Sequence, residues 1–178
     1  CTVQVSNCSL KPLRIGGLRL FKTHVASLEI KVPSLKTTVS PDIGWKNITE
    51  EIQTVIQQSH VRRGIVVIQS QHTTAGVVIN EAEEGLVETD LPQALARFFP
   101  RGREYAHDRV ERLRHTPGEP ENAHAHLQCI FATPGSVALI IEDARLALGE
   151  WQSVLFVDFD PHDRPIRTVR VMIVGDTE

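Results

Sequence analysis

Three apolar runs close this chain: SVALIIE from Ser136, WQSVLFVDF from Trp151 and RTVRVMIVG from Arg167. Each alternates or is dense in Val and Ile, as strands with a buried face do. Short turns separate them, so they are expected to form an antiparallel meander.

The preceding segments offer both strands and helices. HVASLEIKV, within Lys22–Val32, alternates and reads as a strand, and Thr37–Val39 allows a second after Pro33. In GWKNITEEIQTVIQQS, Ile48, Ile52, Val55 and Ile56 make one helical stripe. Asn47 is expected to cap that helix, answered by Glu50 three residues on. IVVIQ after Gly64 reads as a fully buried strand. It runs into QHTTAG, and VVIN resumes it. TDLPQALARFF predicts a second helix, capped by Thr89 or Asp90, with Pro92 in the first turn and Leu91, Leu95 and Phe98 facing the core. The polar stretch RGREYAHDRVERLRHTPGEPE reads as a long loop, a length more often functional than idle. The sum is an α+β fold: a mostly antiparallel sheet or sandwich with two or three helices. Residues 22–178 are expected to form one domain. Residues 1–21, broken by Lys11–Pro12 and Gly16–Gly17, are expected to be an irregular extension.

Bulk chemistry narrows the partners. A formal charge of −3 gives no electrostatic case for nucleic acid or an anionic membrane. No apolar run approaches a membrane span, and no basic start is followed by an apolar core. Three scattered cysteines make no disulfide framework, so a reducing cytoplasm is expected.

The compositional oddity is eight histidines. His24, His60 and His115 lie in polar or boundary contexts and read as surface residues. In ENAHAHLQC, Glu121–Cys129, two lie two apart. On a strand both would face one site, as in the metal sites of cupin-type barrels; on a helix they would diverge. Ala and Leu favour helix, no β-branched residue occurs before Ile130, Asn122 suits a cap and Gly135 follows the apolar run. A helix from about Asn122 to Ala132 is therefore expected, with His124 and His126 pointing different ways.

Other candidates stand at element ends. His72 sits where a strand breaks, and Gly76 admits a close backbone or ligand. His107 beside Asp108 suits a metal ligand or a general base held by a carboxylate. Glu83, Glu84 and Glu88 read as a solvated turn, and Trp151 as a packed indole. Asp158, Asp160, His162, Arg164 and Arg167 crowd one turn, where an arginine could hold a phosphate or carboxylate.

The order of NITEEI, QHTTAGVVINEAEEG with Asp90, YAHD, AHLQ, SVALIIEDARLALGEWQ and a last strand ending in glycine resembles the YjbQ-like proteins, also called the secondary thiamine-phosphate synthase enzyme family. The resemblance covers Lys22 to the C-terminus. It implies an α+β homotrimer with a polar, histidine-rich cleft, and weak thiamine-phosphate synthase activity on a phosphorylated heterocycle. A non-enzymatic, trimeric metal- or metabolite-binding protein is the first alternative, and a cupin-type metal oxygenase, on a strand reading of His124 and His126, the second. The family's histidines fall on His72, His107 and His126, as catalytic groups with Asp108 orienting His107. The same three imidazoles suit a divalent ion such as zinc, and the diphosphate chemistry suits magnesium. Thr73, Asn80, Glu81, Asp90 and Arg164 take substrate-binding roles. His124 has no counterpart in the family. Ala144 stands where glycine is usual, Glu150 where threonine is usual, and Gln128 replaces a common lysine.

Overall fold

The computed structural model describes residues 22–31, 43–109, 111, 118–162 and 166–177. The N-terminal extension, the Thr37–Val39 segment, His115 and Arg164 lie outside these residues. Eight described strands form two antiparallel sheets. The larger runs β1 (Lys22–Lys31), β8 (Ile166–Asp176), β3 (Arg63–Ser70), β5 (Ser136–Glu142) and β6 (Arg145–Leu146); the smaller runs β2 (Gly44–Asn47), β7 (Ser153–Asp158) and β4 (Ala75–Asn80).

The three closing strands are not a meander. β5 pairs with β3, β7 lies between β2 and β4, and β8 lies between β1 and β3. Alternation declares which side chains share a face, not which strand lies alongside. The chain instead moves between sheets, and QHTT is one of the crossings, since β3 and β4 belong to different sheets.

Two cores result. The inner face of the large sheet, with Leu28, Ile68 and Val171, meets α1 (Thr49–Ser59) and the inner residues Val77, Val154 and Phe156 of the small sheet. The opposite face of the small sheet, with Leu155 and Val157, packs on Val87, Leu95, Ala125 and Cys129 from the helices beyond. Thus β7 alternates Val154, Leu155, Phe156, Val157 between the two cores, and all four are buried. β3 is buried on one face only: Val66 and Ile68 are inside, while Ile65 is 48% exposed. It is a half-buried strand rather than the fully buried one expected.

In α1, Ile52, Val55 and Ile56 are completely buried, as is Ile48 before it. Burial of each such side chain stabilises by about 1.5–3 kcal/mol. The expected capping pair is not formed. Ile48 takes the cap position and Asn47 ends strand β2; from there its Oδ1 accepts the Thr49 N–H at 3.1 Å.

The second helix, α2 (Leu91–Phe98), is entered through a π turn, Leu86–Asp90. That turn precedes Pro92, whose ring would clash with the carbonyl four residues back in a regular helix. Asp90 is already helical (φ −69°, ψ −47°) and caps nothing. Glu83 does the capping instead, accepting the Gly85 and Leu86 N–H groups at 2.8 and 2.7 Å, so it is not merely solvated. These bonds hold its carboxyl below the usual range. Phe98, expected in the core, is 72% exposed; the half-buried Phe99 beside it meets the exposed Phe131, ring centroids 4.8 Å apart.

The third described helix, α3 (Ala123–Ala132), agrees with the sequence reading. Two expected burials reverse. His24 shares the inward face of β1 with Ala26, Leu28 and Ile30 and is buried, whereas Trp151 is 69% exposed, not a packed indole. No helix among the described residues is long and apolar enough to cross a membrane.

Candidate functional site

His72 stands on the crossing from the large sheet to the small one. Ser70 and Gln71 brace this corner: Ser70 Oγ donates to the Ala75 carbonyl at 2.5 Å, and the Gln71 N–H donates to the Thr168 carbonyl at 3.1 Å. The Thr168 N–H in turn donates to His72 Nε2 at 2.7 Å. An acceptor nitrogen carries no proton, so neutral His72 is the Nδ1–H tautomer.

His126 comes from α3 and shares with His72 a cleft of about 620 Å³. Gln69, Ser70, Thr73, Cys129 and Thr133 also line it. Behind His126 lies His107, with ring centroids 4.9 Å apart and planes inclined by 44°. His107 comes from a short 3-10 turn, Ala106–Asp108, and its Nδ1 lies 2.8 Å from Asp108 Oδ1. The same oxygen accepts the Ala123 N–H at 3.1 Å, at the start of α3. One carboxylate therefore holds His107 and supplies the cap that Asn122 was expected to give. Imidazole, imidazole and carboxylate form a chain leading away from the cleft.

Cys129 is buried, and burial pushes its thiol up, which makes it a poor nucleophile. Gly76 admits a close approach, and the approaching group is the Thr133 side chain at the end of α3. Gln128 is buried and donates to the Phe99 carbonyl at 3.1 Å, tying α3 to the end of α2. Asn80, Glu81 and Asp90 are exposed and do not line the His72–His126 cleft.

The three-imidazole metal set does not fit this arrangement. A neutral imidazole has one lone-pair nitrogen, and that of His72 is engaged by the Thr168 N–H. Among the described residues, no three His, Cys, Asp or Glu side chains come together to hold a metal ion.

The other face of α3 also opens on a cleft, of about 790 Å³, lined in part by Asn122, His124, Asp108, Asp160 and His162. Asp160, in its lining, is held by a buried ion pair. Arg167 Nε and Nη2 donate to Asp158 at 2.6 and 2.9 Å, and Nη2 also reaches the Asp160 carbonyl. Burial pushes the Asp158 carboxyl up, against the pull of Arg167. Arg167 thus serves the fold and is not available as an anion hook. Alternation in β8 and the paired Asp158 were the sequence signals for this, but both were equally consistent with an open turn.

A family model described as UPF0047 protein YjbQ-like matches residues 34–176. This chain belongs to the YjbQ-like family. A UPF0047 protein of Archaeoglobus fulgidus is 35% identical over 127 residues, covering 71% of this chain and 86% of the relative. UPF0047 protein YugU of Bacillus subtilis is 32% identical over 132 residues, covering 74% and 89%. Among solved structures, a YjbQ/UPF0047 protein of Clostridium acetobutylicum superposes with a TM-score of 0.65 at 30% identity, covering 83% of this chain and 98% of that one. A YbjQ-like protein of unknown function from Sulfolobus solfataricus gives 0.72 at 25% identity, covering 88% and 99%. The mostly antiparallel α+β architecture is thus that of the YjbQ-like structures.

Proposed function

We propose that this YjbQ-like protein acts on a small phosphorylated heterocycle in the His72–His126 cleft, with a thiamine-phosphate synthase type of reaction. One observation carries the reading: His126 lines the cleft, with His107 against its ring and Asp108 behind His107. An imidazole backed in this way can hold or pass a proton at the reacting group. In the reaction, the bond between a pyrimidine methyl carbon and a diphosphate oxygen breaks, and the electron pair leaves with the diphosphate. A thiazole ring nitrogen then forms the new C–N bond to that carbon. His126 is assigned to hydrogen-bond the departing oxygen, His107 to share the proton, Asp108 to orient His107, and Thr73 to contact the substrate. Magnesium, when bound, would offset the charge of the diphosphate.

Steady-state turnover of the two thiamine precursors tests this. Turnover lost in His126→Ala and reduced in His72→Ala supports it. Turnover indifferent to both substitutions overturns it and leaves a metabolite-binding protein.

We also propose that the chain works as a homotrimer. The outer face of the large sheet supports this, because paired positions place Val174, Ile65 and Ile140 in one row and Met172, Val67 and Ala138 in the next. Ile65, Ile140 and Met172 are 48, 58 and 45% exposed, and a contiguous apolar sheet face of this kind fits a subunit interface. Light scattering on the eluting protein reads the mass directly; a monomer at micromolar concentration removes the proposal.

A further inference from the structure

The outer face of the large sheet changes character along its strands. Two rows are apolar, Val174–Ile65–Ile140 and Met172–Val67–Ala138. The next row is polar: Ser27 of β1, Arg170 of β8, Gln69 of β3 and Ser136 of β5 stand opposite one another in register. This row borders the His72–His126 cleft, because Gln69 and Gly135, the residue before Ser136, line it. His72 itself stands just beyond. Its Nε2 accepts the N–H of Thr168, two residues before Arg170 on β8, and two residues of strand advance by about 7 Å.

Arg170 has an unusual place in this row. It is half-buried, and its guanidinium makes no hydrogen bond or ion pair with any described residue. Residues directly opposite on one face have Cβ atoms about 5 Å apart, so the longer arginine side chain can extend past its partner Gln69 to the cleft mouth. The cleft has use for such a group, since no described residue that lines it carries a fixed charge. A phosphate entering it loses water, and that cost must be offset by a charged partner. A planar guanidinium offsets it with two parallel N–H bonds to phosphate oxygens. Its position at the edge of the apolar rows also fits. An unpaired guanidinium enclosed among them by another subunit would be costly, whereas beside the cleft it stays open to a ligand.

We infer that Arg170 is a phosphate-binding residue of the His72–His126 cleft, donating two N–H bonds to phosphate oxygens of the ligand at the cleft mouth. The inference rests on the reading of that cleft as the place of a phosphorylated ligand.

Calorimetric titration of the full chain with inorganic pyrophosphate, and with the pyrimidine alcohol that lacks phosphate, tests it. Pyrophosphate should bind the parent protein at millimolar concentration or below, more weakly as salt rises. Arg170→Ala should lower that affinity about tenfold and raise KM for the diphosphate substrate by a similar factor, with kcat changed less. Arg170→Lys keeps the charge but not the fork, and should recover only part of the loss. Arg145→Ala, on the edge strand β6 of the same sheet, should change neither quantity. The alcohol should bind all these proteins alike. If Arg170→Ala fails to fold by circular dichroism, Arg170→Gln, which keeps most of the stem, takes its place. Pyrophosphate affinity lost in Arg170→Ala, with no turnover in any variant, upholds Arg170 and removes the synthase reading. Turnover that needs His126 but keeps the parent KM and pyrophosphate affinity in Arg170→Ala upholds the reaction and overturns Arg170. A parent protein that binds no pyrophosphate at millimolar concentration overturns it too. So does a fall in mass by light scattering in Arg170→Ala, which would assign the guanidinium to the subunit interface.

Discussion

Asp108 Oδ1 accepts the Ala123 N–H at 3.1 Å while lying 2.8 Å from His107 Nδ1. A single carboxylate oxygen thus joins the start of the helix that carries His126 to the imidazole stacked against His126. Asp108 acts as a positioning residue twice over, once through a side chain and once through a helix terminus. Asp108→Ala should cost about 1–2 kcal/mol of stability, the range for a lost helix cap. It should also lower turnover by more than the lost stability explains, because His107 is no longer held. Urea melts read the first effect, and single-turnover rates on fully folded protein read the second. Asp108→Asn should restore part of the stability without restoring the rate.

Gly76 tests how tightly α3 is seated. A Cβ at this position would fall within the Thr133 side chain, and Thr133 Oγ1 is itself engaged with the Cys129 carbonyl at 2.9 Å. Gly76→Ala should therefore destabilise by about 1–3 kcal/mol, the cost of overpacking. Thr133→Ala combined with it should recover most of that loss. If the two substitutions simply add in a double-mutant cycle, the contact is not the cause.

The turn between β5 and β6 carries strain that one atom explains. Asp143 and Ala144 have φ of +47° and +61°, both in the left-handed region, as a two-residue hairpin turn demands. Their place is enforced from outside. Gln53 Nε2 donates to the Ala144 carbonyl at 2.8 Å, and its Oε1 accepts the Leu146 N–H at 3.1 Å. Ala144→Gly should raise stability by about 1 kcal/mol, because the Cβ is what makes left-handed backbone costly. Thermal unfolding would show it as a higher midpoint. A lower one would mean that the gain in unfolded-chain freedom dominates.

His24 gives the fold a pH dependence. Burial lowers its pKa below the usual 6.5, aided by the positive charge of Lys22 and by His60. The unfolded chain takes up a proton near 6.5 while the folded chain resists until a lower pH. The contribution to stability is therefore complete above 6.5 and declines as pH falls below it, by at most about 1.4 kcal/mol per pH unit. Urea midpoints between pH 7.5 and 5.5 should fall faster in the parent protein than in His24→Leu. Parallel slopes would assign the acid sensitivity to another group.

Features set by local pattern were legible in the sequence. The apolar stripe of α1, the Ala–Leu content of α3 and the alternation of β1 each state a period, and a period is enough for an element. The helix reading also separated His124 from His126 correctly, but gave a site to only one of them. Both faces of α3 open on clefts, which a single helix cannot reveal. Strand partners were not legible, because β7 and β8 take neighbours far away in sequence. Nor was the fate of Arg167: the same alternation suits an exposed guanidinium and one sealed against Asp158. Position 98 has the spacing of a core residue yet lies outside, at the residue where the helix ends.

β8 runs between β1 and β3, and β7 between β2 and β4. Both strands are therefore keystones, inserted between partners made much earlier. Until they arrive, β1 and β3 have no common neighbour, and neither do β2 and β4. Folding of the large sheet must wait until β8 has been made, with loop closure across most of the described chain as its slow step. A ribosome-stalled chain ending before Ile166 should remain open to protease throughout β1, whose sheet neighbour is β8, however well α1 has formed.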